Sequence, residues 1–520
     1  MLVDDGVVAW VGQDSAAQTH RDSVDTVEDL HGAFVTPAFV DSHVHVTSTG
    51  LMLTGLDLTG AHSLAEALDA VERHARDQRG GVVLGHGWDE TTWPEHRPPT
   101  REELDRASYG GVVYLSRIDV HSCVASSALL ASAPSAAELP GFDPSGWLRQ
   151  DSHHVVRRVV HEALTETQLD RARRAALRRA AAQGIGSVHE NGGPSINGAD
   201  DFLAVLRLGA SGAGPEVIGY WGELGGVDAA KELGAAGAAG DLFVDGAIGS
   251  RTAFLREPYA DADTCGASYL GAAQVRDHVV ACTLAGVQAG FHVIGDAAAD
   301  EVLGGFLTAA EIVGSDAIRA ARHRLEHAEM LDARSVRHLS ALGVMASVQP
   351  LFLTLWGGTD SMYAERLGVE RALTLNPFAD MLDAGLVLSF SSDAPVTDIA
   401  PWEAVRAAVN HPVEAQRITA RAAFNAHTRG GRRAARQDDQ GVLVAGAPAT
   451  YAVWQADDLV VQTPDDRVAS WSTDPRAGVP GLPDLSPGAP APSCLRTVVD
   501  GTTVYSVDHP DVLPAPGGPT

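Results

Sequence analysis

The chain has 520 residues, of which 45% are hydrophobic and 20% are charged, so it is long and apolar enough to bury a large core. Its 38 basic and 67 acidic residues give a formal net charge of −29 at pH 7, a charge that repels phosphate backbones and anionic membranes. We therefore expect a small-molecule substrate, with neither nucleic acid nor membrane as a partner.

Short β-rich runs at the two ends of the chain predict one small domain. The runs within residues 1–36 are too few for an independent unit, because an isolated hairpin is only marginally stable. Matching runs occur at 449–454 and 495–505, the second around the hairpin signal Asp500-Gly501. We expect residues 1–36 and 430–520 to form a β-sandwich, with loops or disordered tails at 464–492 and beyond residue 510.

Residues 37–45 predict a buried strand that ends in two histidines. Alternate side chains of a strand share a face, so His43 and His45 point the same way. This arrangement is half of a metal site. Taken alone, it is equally compatible with two polar residues that are merely hydrogen-bonded.

Residues 50–165 lack the pattern of a regular βαβ unit, and we interpret them as a cap beside the strand ends. Trp88, in an aromatic and polar part of this insertion, either shapes a substrate pocket or anchors a loop.

From about residue 165, amphipathic helices alternate with short apolar strands. The strands are predicted at 186–190, 216–221, 242–246, 287–293, 324–327, 344–349 and 386–393. With the first strand these make eight, and helices between strands imply a parallel sheet. The sequence therefore predicts an α/β fold, a (β/α)8 TIM-like barrel over residues 37–429, beside the terminal β-sandwich.

Polar side chains occur at the last positions of these strands. They are His43, His45, Glu190, Asp245, His292, His327, Gln349 and Asp393. Active sites of such barrels gather at the carboxyl ends of the strands, so these residues predict a metal site. Nitrogen and carboxylate ligands without thiolate suit zinc, and also iron, manganese, nickel or cobalt.

With these residues assembled, the chain resembles the amidohydrolase superfamily, and within it the N-substituted formamide deformylase-like branch (amidohydrolase family 3). The resemblance rests on residues 37–45, 244–253, 291–297, 324–328 and 391–395. It implies a metal-bearing barrel flanked by a β-sandwich built from both termini, in agreement with the pattern of strands.

The resemblance also implies roles for individual residues. His43, His45, His292, His327 and Asp393 would form the metal centre, with Glu190 as a further carboxylate ligand. A divalent metal, expected to be zinc, would activate water. Asp393 would act as general base and then acid, and the metal or His327 would polarise the scissile carbonyl.

One position departs from the family. Two-metal members often bridge their ions with a carboxylated lysine on the fourth strand, but here that position is Asp241, and the only lysine is Lys231 in the preceding helix. We therefore expect one ion per chain. If two ions bind, Glu190 or Asp241 would have to bridge them.

Substrate binding is assigned to Trp88, Arg251 and Gln349. Arg251 either pairs with a substrate carboxylate or carbonyl, or ties down a loop. The spacing of His86, His121 and His189 does not select them for the pocket, and His427 is expected to be structural.

The favoured function is metal-dependent hydrolysis of a non-peptide C–N bond, in an amide or an N-substituted formamide, by metal-activated water. One alternative is another enzymatic reaction, deamination of a cyclic amidine. The second alternative is a non-catalytic scaffold with the same fold. Four unpaired cysteines and the lack of a leader or a long apolar run favour a cytoplasmic location, while self-association as a homo-oligomer stays open.

Overall fold

Eight parallel strands form the central sheet of the computed structural model, which describes residues 1–78, 82–456, 459–462, 471–472 and 481–509. In chain order the strands are β1 (Phe39–Val44), β2 (Ile185–Gly192), β3 (Glu216–Trp221), β4 (Gly237–Ala238), β5 (Gln288–Val293), β6 (Arg324–His327), β7 (Met345–Val348) and β8 (Val387–Phe390). Each strand pairs with the next, and the segment after β8 returns to β1, where the amide of Asp393 donates to the carbonyl of His43 over 2.9 Å. The sheet is nearly closed, which confirms the predicted barrel.

Helices separate the strands, as the alternating pattern predicted. They span Val46–Thr54, Glu166–Ala182, Gly198–Ala210, Val227–Glu232, Ala272–Ala285, Asp296–Val313, Ser315–Ala321, Ala333–Ala341, Pro350–Trp356, Met362–Leu367, Val369–Ala372, Phe378–Asp383, Pro401–Val409, Ala420–Asn425 and Gly431–Ala434. Glu166–Ala182 begins at a capping box between Thr165 and Gln168 and buries its alanine face. Within the described ranges, none of the helices combines the length and hydropathy needed to cross a bilayer.

The fourth strand differs from the prediction. Residues 242–246 were expected to form it, but the ladder runs through β4 and ends before Asp241. The apolar run that follows touches β5 only through a bridge between Phe243 and His292. Asp245 then accepts hydrogen bonds from three backbone amides, those of Phe254, Ile294 and Gly295. These side-chain bonds hold the segment as a loop, because they compete with a strand ladder.

The insertion between β1 and β2, which we call the cap, has a sheet of its own. Its strands are Leu56–Asp57, Val83–Trp88, Val113–Arg117, Ser122–Ala125 and Trp147–Arg149. Its helices are Leu64–Gln78, Arg101–Ala107, Ser127–Ser132 and Gln150–Glu162, with 3-10 turns at Glu90–Thr92 and Pro134–Glu138. The first three strands pair in parallel, whereas the fourth pairs antiparallel with both the third and the fifth. The cap therefore does not repeat the barrel pattern.

Both ends of the chain contribute to one antiparallel sheet. Phe34–Pro37 pairs with Tyr451–Gln455, which continues to the hairpin of Ser493–Val499 and Thr502–Ser506. Smaller sheets join Leu2–Asp4 to Val7–Trp10, and Leu459–Gln462 to Trp471–Ser472 and Leu482–Pro483.

The predicted fold class is therefore confirmed, while the domain limits at residues 36 and 430 stay predictions. The loops and tails expected at 464–492 and beyond residue 510 lie outside the described residues over 464–470, 473–480 and 510–520.

Candidate metal centre and cavity

The imidazoles of His43 and His45 face the carboxylates of Asp241 and Asp393 where the barrel strands end. Nε2 of His43 lies 3.4 Å from Oδ1 of Asp241 and 3.3 Å from Oδ1 of Asp393. Nε2 of His45 lies 3.1 Å from Oδ2 of Asp241 and 3.4 Å from Oδ1 of Asp393. His327 completes the group, with Nε2 3.9 Å from Oδ1 of Asp241. All five side chains are buried, so these atoms converge in a region shielded from bulk water.

The two histidines of the first strand are aimed by partners on neighbouring strands. Nδ1 of His43 lies 2.9 Å from Oε2 of Glu326, a carboxylate that Arg324 holds through two hydrogen bonds. Nδ1 of His45 lies 3.0 Å from the carbonyl oxygen of Asn191. Because these oxygens accept, each imidazole donates from Nδ1 and turns Nε2 toward the centre.

His327 and Asp393 are held in left-handed backbone conformations, with φ of 69° and 56°. Such conformations cost about 1–3 kcal/mol in residues with a side chain, and they cluster at functional sites. Surrounding contacts maintain both of them. Nδ1 of His327 lies 2.9 Å from Oε1 of Gln349, and Asp393 is tied through its amide to β1.

Asp241 follows β4, where the resemblance led us to look for a carboxylated lysine. Its two carboxylate oxygens face His43 and His45, so the acid itself occupies the centre. Lys231, the only lysine, is exposed on the helix Val227–Glu232. A carbamate on Lys231 therefore has no place among the groups that meet here.

The donor set fits a divalent cation. In the described part of the chain, Nε2 of His43, Nε2 of His327 and Oδ1 of Asp241 are buried without a hydrogen-bond partner. Buried polar atoms are nearly always paired, so a group of unpaired ones marks a place for an ion. Separations of 3.1–3.9 Å suit ligands that share one ion whose bonds are about 2.0–2.2 Å long.

The pKa values of the centre reflect the same need for positive charge. Burial disfavours the charged form of His45, but hydrogen bonds to Asp241 and Asp393 outweigh it and raise the pKa of His45 to about 9. Burial also opposes ionisation of Asp241, but the charge of His43 holds the pKa of Asp241 well below its usual range. Imidazolium protons balance the two carboxylates, and a divalent cation would balance them equally.

His292 and Glu190, the other predicted ligands, lie beside this group. The ring centroid of His292 is 4.4 Å from that of His327, and burial holds the pKa of His292 well below its usual range. Glu190 accepts a hydrogen bond from the amide of Val46 over 2.7 Å, and burial raises the pKa of Glu190 to about 7. Two groups of three described residues have donor atoms within 4.8 Å of one another: His43 with His327 and Asp393, and His43 with His45 and Asp241. Ligand roles for His292 and Glu190 stay predictions.

A cavity of about 120 Å³ extends from the centre to the cap. Asp241, Asp393 and three histidines line it on the barrel side. The cap supplies polar side chains that the sequence analysis did not select, which are His86, His121, His154, Arg157 and His161. No pattern along the sequence marked this group, because the insertion follows neither the barrel period nor a known motif spacing.

The three residues expected to bind substrate do not line this cavity. Trp88 is fully buried and donates from Nε1 to the carbonyl of Leu115 over 2.9 Å, so it anchors the cap. Arg251 pairs with Asp261 through bonds of 3.0 and 2.6 Å, which is the loop-tying alternative. Gln349 orients a histidine of the metal centre. Substrate-binding roles for Trp88, Arg251 and Gln349 stay predictions.

Two further histidines have structural surroundings. Nδ1 of His427 lies 2.9 Å from the carbonyl oxygen of Val40, which fits the structural role expected for His427. Nδ1 of His189 lies 3.2 Å from Nη1 of Arg324, and His189 does not line the cavity.

The arrangement can support hydrolysis. A divalent cation held here would supply Lewis acidity, making water nucleophilic near neutral pH and drawing charge from a substrate oxygen. Asp393 contacts the imidazoles and also faces the cavity, so its carboxylate can take up and pass on a proton.

Known proteins resemble the chain over most of its length. The amidohydrolase family model matches residues 26–505. An N-substituted formamide deformylase of Arthrobacter pascens is 26% identical over 506 residues, covering 88% of this chain and 90% of that protein. The Arabidopsis thaliana protein LONG AFTER FAR-RED 3 is 28% identical over 424 residues, covering 73% of this chain and 69% of that protein. The crystal structure of an uncharacterized metal-dependent hydrolase from Pyrococcus horikoshii has a TM-score of 0.70 at 27% identity, covering 88% of this chain and 93% of that one.

Proposed function

The chain belongs to the amidohydrolase family and is a metal-dependent hydrolase, and from this premise we propose that it hydrolyses a non-peptide carbon–nitrogen bond, in an amide or an N-substituted formamide. One zinc ion per chain is the proposed cofactor. The observation that carries the proposal is the meeting of His43 and His45 with Asp241 and Asp393 at one end of a cavity. This donor set suits zinc, and the cavity gives a small molecule access to it.

Similarity to an N-substituted formamide deformylase supports the choice of bond. The similar region covers 88% of this chain and 90% of that protein. An amide has a carbonyl carbon for water to attack and a nitrogen that must leave with a proton. Both needs match a metal centre with an adjacent carboxylate.

The proposed proton path runs through Asp393. Its carboxylate takes a proton from the attacking water and later gives that proton to the departing nitrogen. His327, beside it, is assigned to stabilising the charge that develops on the carbonyl oxygen. Glu326 and Gln349 keep the neighbouring imidazoles in place through bonds of 2.9 Å each, so the groups need not reorganise during the reaction.

The test is product analysis. Purified protein is incubated with a series of N-alkyl and N-aryl formamides, matched acetamides and cyclic amidines, and amine, acid and ammonia are measured separately. We expect equal amounts of amine and acid from an amide and no ammonia from an amidine. Ammonia release from a cyclic amidine, with every amide left intact, would overturn the proposal.

Two controls accompany this test. The Asp393→Asn variant, purified in the same way, excludes a contaminating amidase, because its turnover should be lost. Elemental analysis of the same preparations should find zinc at one ion per chain. Another metal at full occupancy would replace zinc in the proposal without changing the reaction.

A further inference from the structure

One face of a cap helix carries a row of polar side chains into the cavity. The helix is Gln150–Glu162, and the residues are His154, Arg157 and His161. Spacings of three and four residues place them on the same side of the helix. All three line the cavity from the cap.

Arg157 is the cation of this row, and it has no acidic partner. In the part of the chain that the structure describes, no carboxylate lies within 4.0 Å of its guanidinium, which is only partly buried. Nη2 donates to the carbonyl of Ser195 over 2.7 Å, while Nε and Nη1 have no acceptor among the described residues. These single N–H donors belong to a side chain that lines the cavity, so they are available to an anion there.

His154 adds a second donor. Nη2 of Arg157 lies 3.4 Å from Nδ1 of His154. A guanidinium can only donate, so Nδ1 accepts and the ring proton is on Nε2. Burial lowers the pKa of His154 to about 3, which keeps the ring neutral with this proton arrangement. The two side chains together offer donors and no free acceptor, as an anion requires.

We propose that Arg157, assisted by His154, binds a carboxylate of the substrate at the cap end of the cavity while the amide lies at the metal centre. This inference rests on the proposed amide hydrolysis and names its substrate class: an N-acyl compound that carries an acid group. The carboxylate is directed to the cap because Asp241 and Asp393 occupy the other end.

Apolar side chains separate the two ends. The ring centroid of Phe243 is 6.4 Å from that of His154 and 4.8 Å from that of His292, so Phe243 lies between the cap and the centre. Val160 and Ile196 also line the cavity. A substrate that fits has an apolar chain between its amide and its acid, as in an N-acylated ω-amino acid.

The charge of the whole protein strengthens the need for such a site. A formal net charge of −29 disfavours an anionic ligand at long range. A local cation in a partly buried cavity overcomes this, because hydrogen bonds between charged groups are stronger there than in water. Arg157 is placed to supply that interaction.

The kinetic test uses a matched pair of substrates, N-formyl-6-aminohexanoate and N-pentylformamide, which lacks only the carboxylate. We expect wild type to prefer the acid, and Arg157→Met to lower kcat/KM for the acid by about 10- to 100-fold while sparing the neutral compound. Arg158→Met, at an exposed position of the same helix, is the matched control and should change neither. Arg157→Lys should recover part of the loss, because it keeps the charge without the fork.

A binding measurement gives a second readout that does not depend on turnover. Benzenesulfonate, an anion that binds metal ions weakly, is titrated calorimetrically into the holoprotein and the same variants, whose folding is checked by thermal unfolding. Binding should weaken about 10- to 100-fold in Arg157→Met and stay unchanged in Arg158→Met.

The outcomes separate the two proposals. If neither formamide is hydrolysed, the proposed function fails, and sulfonate binding alone decides the anion site. If both are hydrolysed and Arg157→Met keeps the wild-type preference, the anion site is overturned while the function stands. Absence of sulfonate binding to wild type, or equal binding to Arg157→Met, would also overturn the site.

Discussion

Oδ2 of Asp241 lies 3.1 Å from Nε2 of His45, so the carboxylate that follows β4 meets the histidine that follows β1. The acid stands among the metal-binding groups themselves.

Asp241→Ala should weaken metal binding by at least about 100-fold. Loss of an outer partner of a metal ligand already costs about 10–100-fold, and Asp241 faces the centre directly. Metal affinity is measured by competition with a chelator. Asp228→Ala, at an exposed position, is the control and should bind as wild type does. Wild-type metal affinity in Asp241→Ala would show that Asp241 is not part of the metal centre.

Asp393→Asn should lower turnover by about 10²–10⁴-fold, the usual cost of losing a general base. The fold should persist, because the amide keeps the shape of the side chain and the backbone bond to β1 is unchanged. Steady-state rates and the thermal unfolding midpoint are measured together. Near-normal turnover would show that another residue transfers the proton, and Glu190 is the next candidate.

Lys231→Arg should be nearly silent, and activity should not depend on bicarbonate. A carbamate bridge needs a lysine amine at the centre, whereas Lys231 is exposed on a helix and Asp241 is the residue in place. Rates are compared with and without added bicarbonate after degassing. A rate that rises with bicarbonate in wild type and not in Lys231→Arg would refute this account.

Metal titration should reach one ion per chain in both wild type and Glu190→Gln. Two cations close together repel strongly and need a bridging anion, and Oε2 of Glu190 is already used by the amide of Val46. Isothermal titration of the apoprotein gives the stoichiometry. Two ions in wild type and one in Glu190→Gln would identify Glu190 as a bridge.

The barrel and half of the centre could be predicted from local patterns. Alternation of side chains in a strand places His43 and His45 on one face, and Arg324–His327 was predicted with the bounds that the structure has. Such signals are local because strand period and strand ends depend on neighbouring residues.

The fourth strand, the place of Asp241 and the cap side of the cavity depend on contacts between residues that are far apart in the sequence. The strand β4 pairs over only two residues, so the apolar run after it was a stronger strand signal than the strand itself. Asp241 reaches His45 only because that run leaves the sheet. The cap residues Arg157 and His154 line the cavity through docking of an insertion, which no periodicity along the chain reveals.

We propose that His43 and His45 hold the metal, and elemental analysis of the double variant His43→Ala/His45→Ala tests this assignment. The matched control is His62→Ala/His338→Ala, which removes two exposed histidines and reports adventitious binding. We predict that the first variant loses most of its bound metal while the control keeps the wild-type content. Wild-type metal content in a folded His43→Ala/His45→Ala protein would contradict the account.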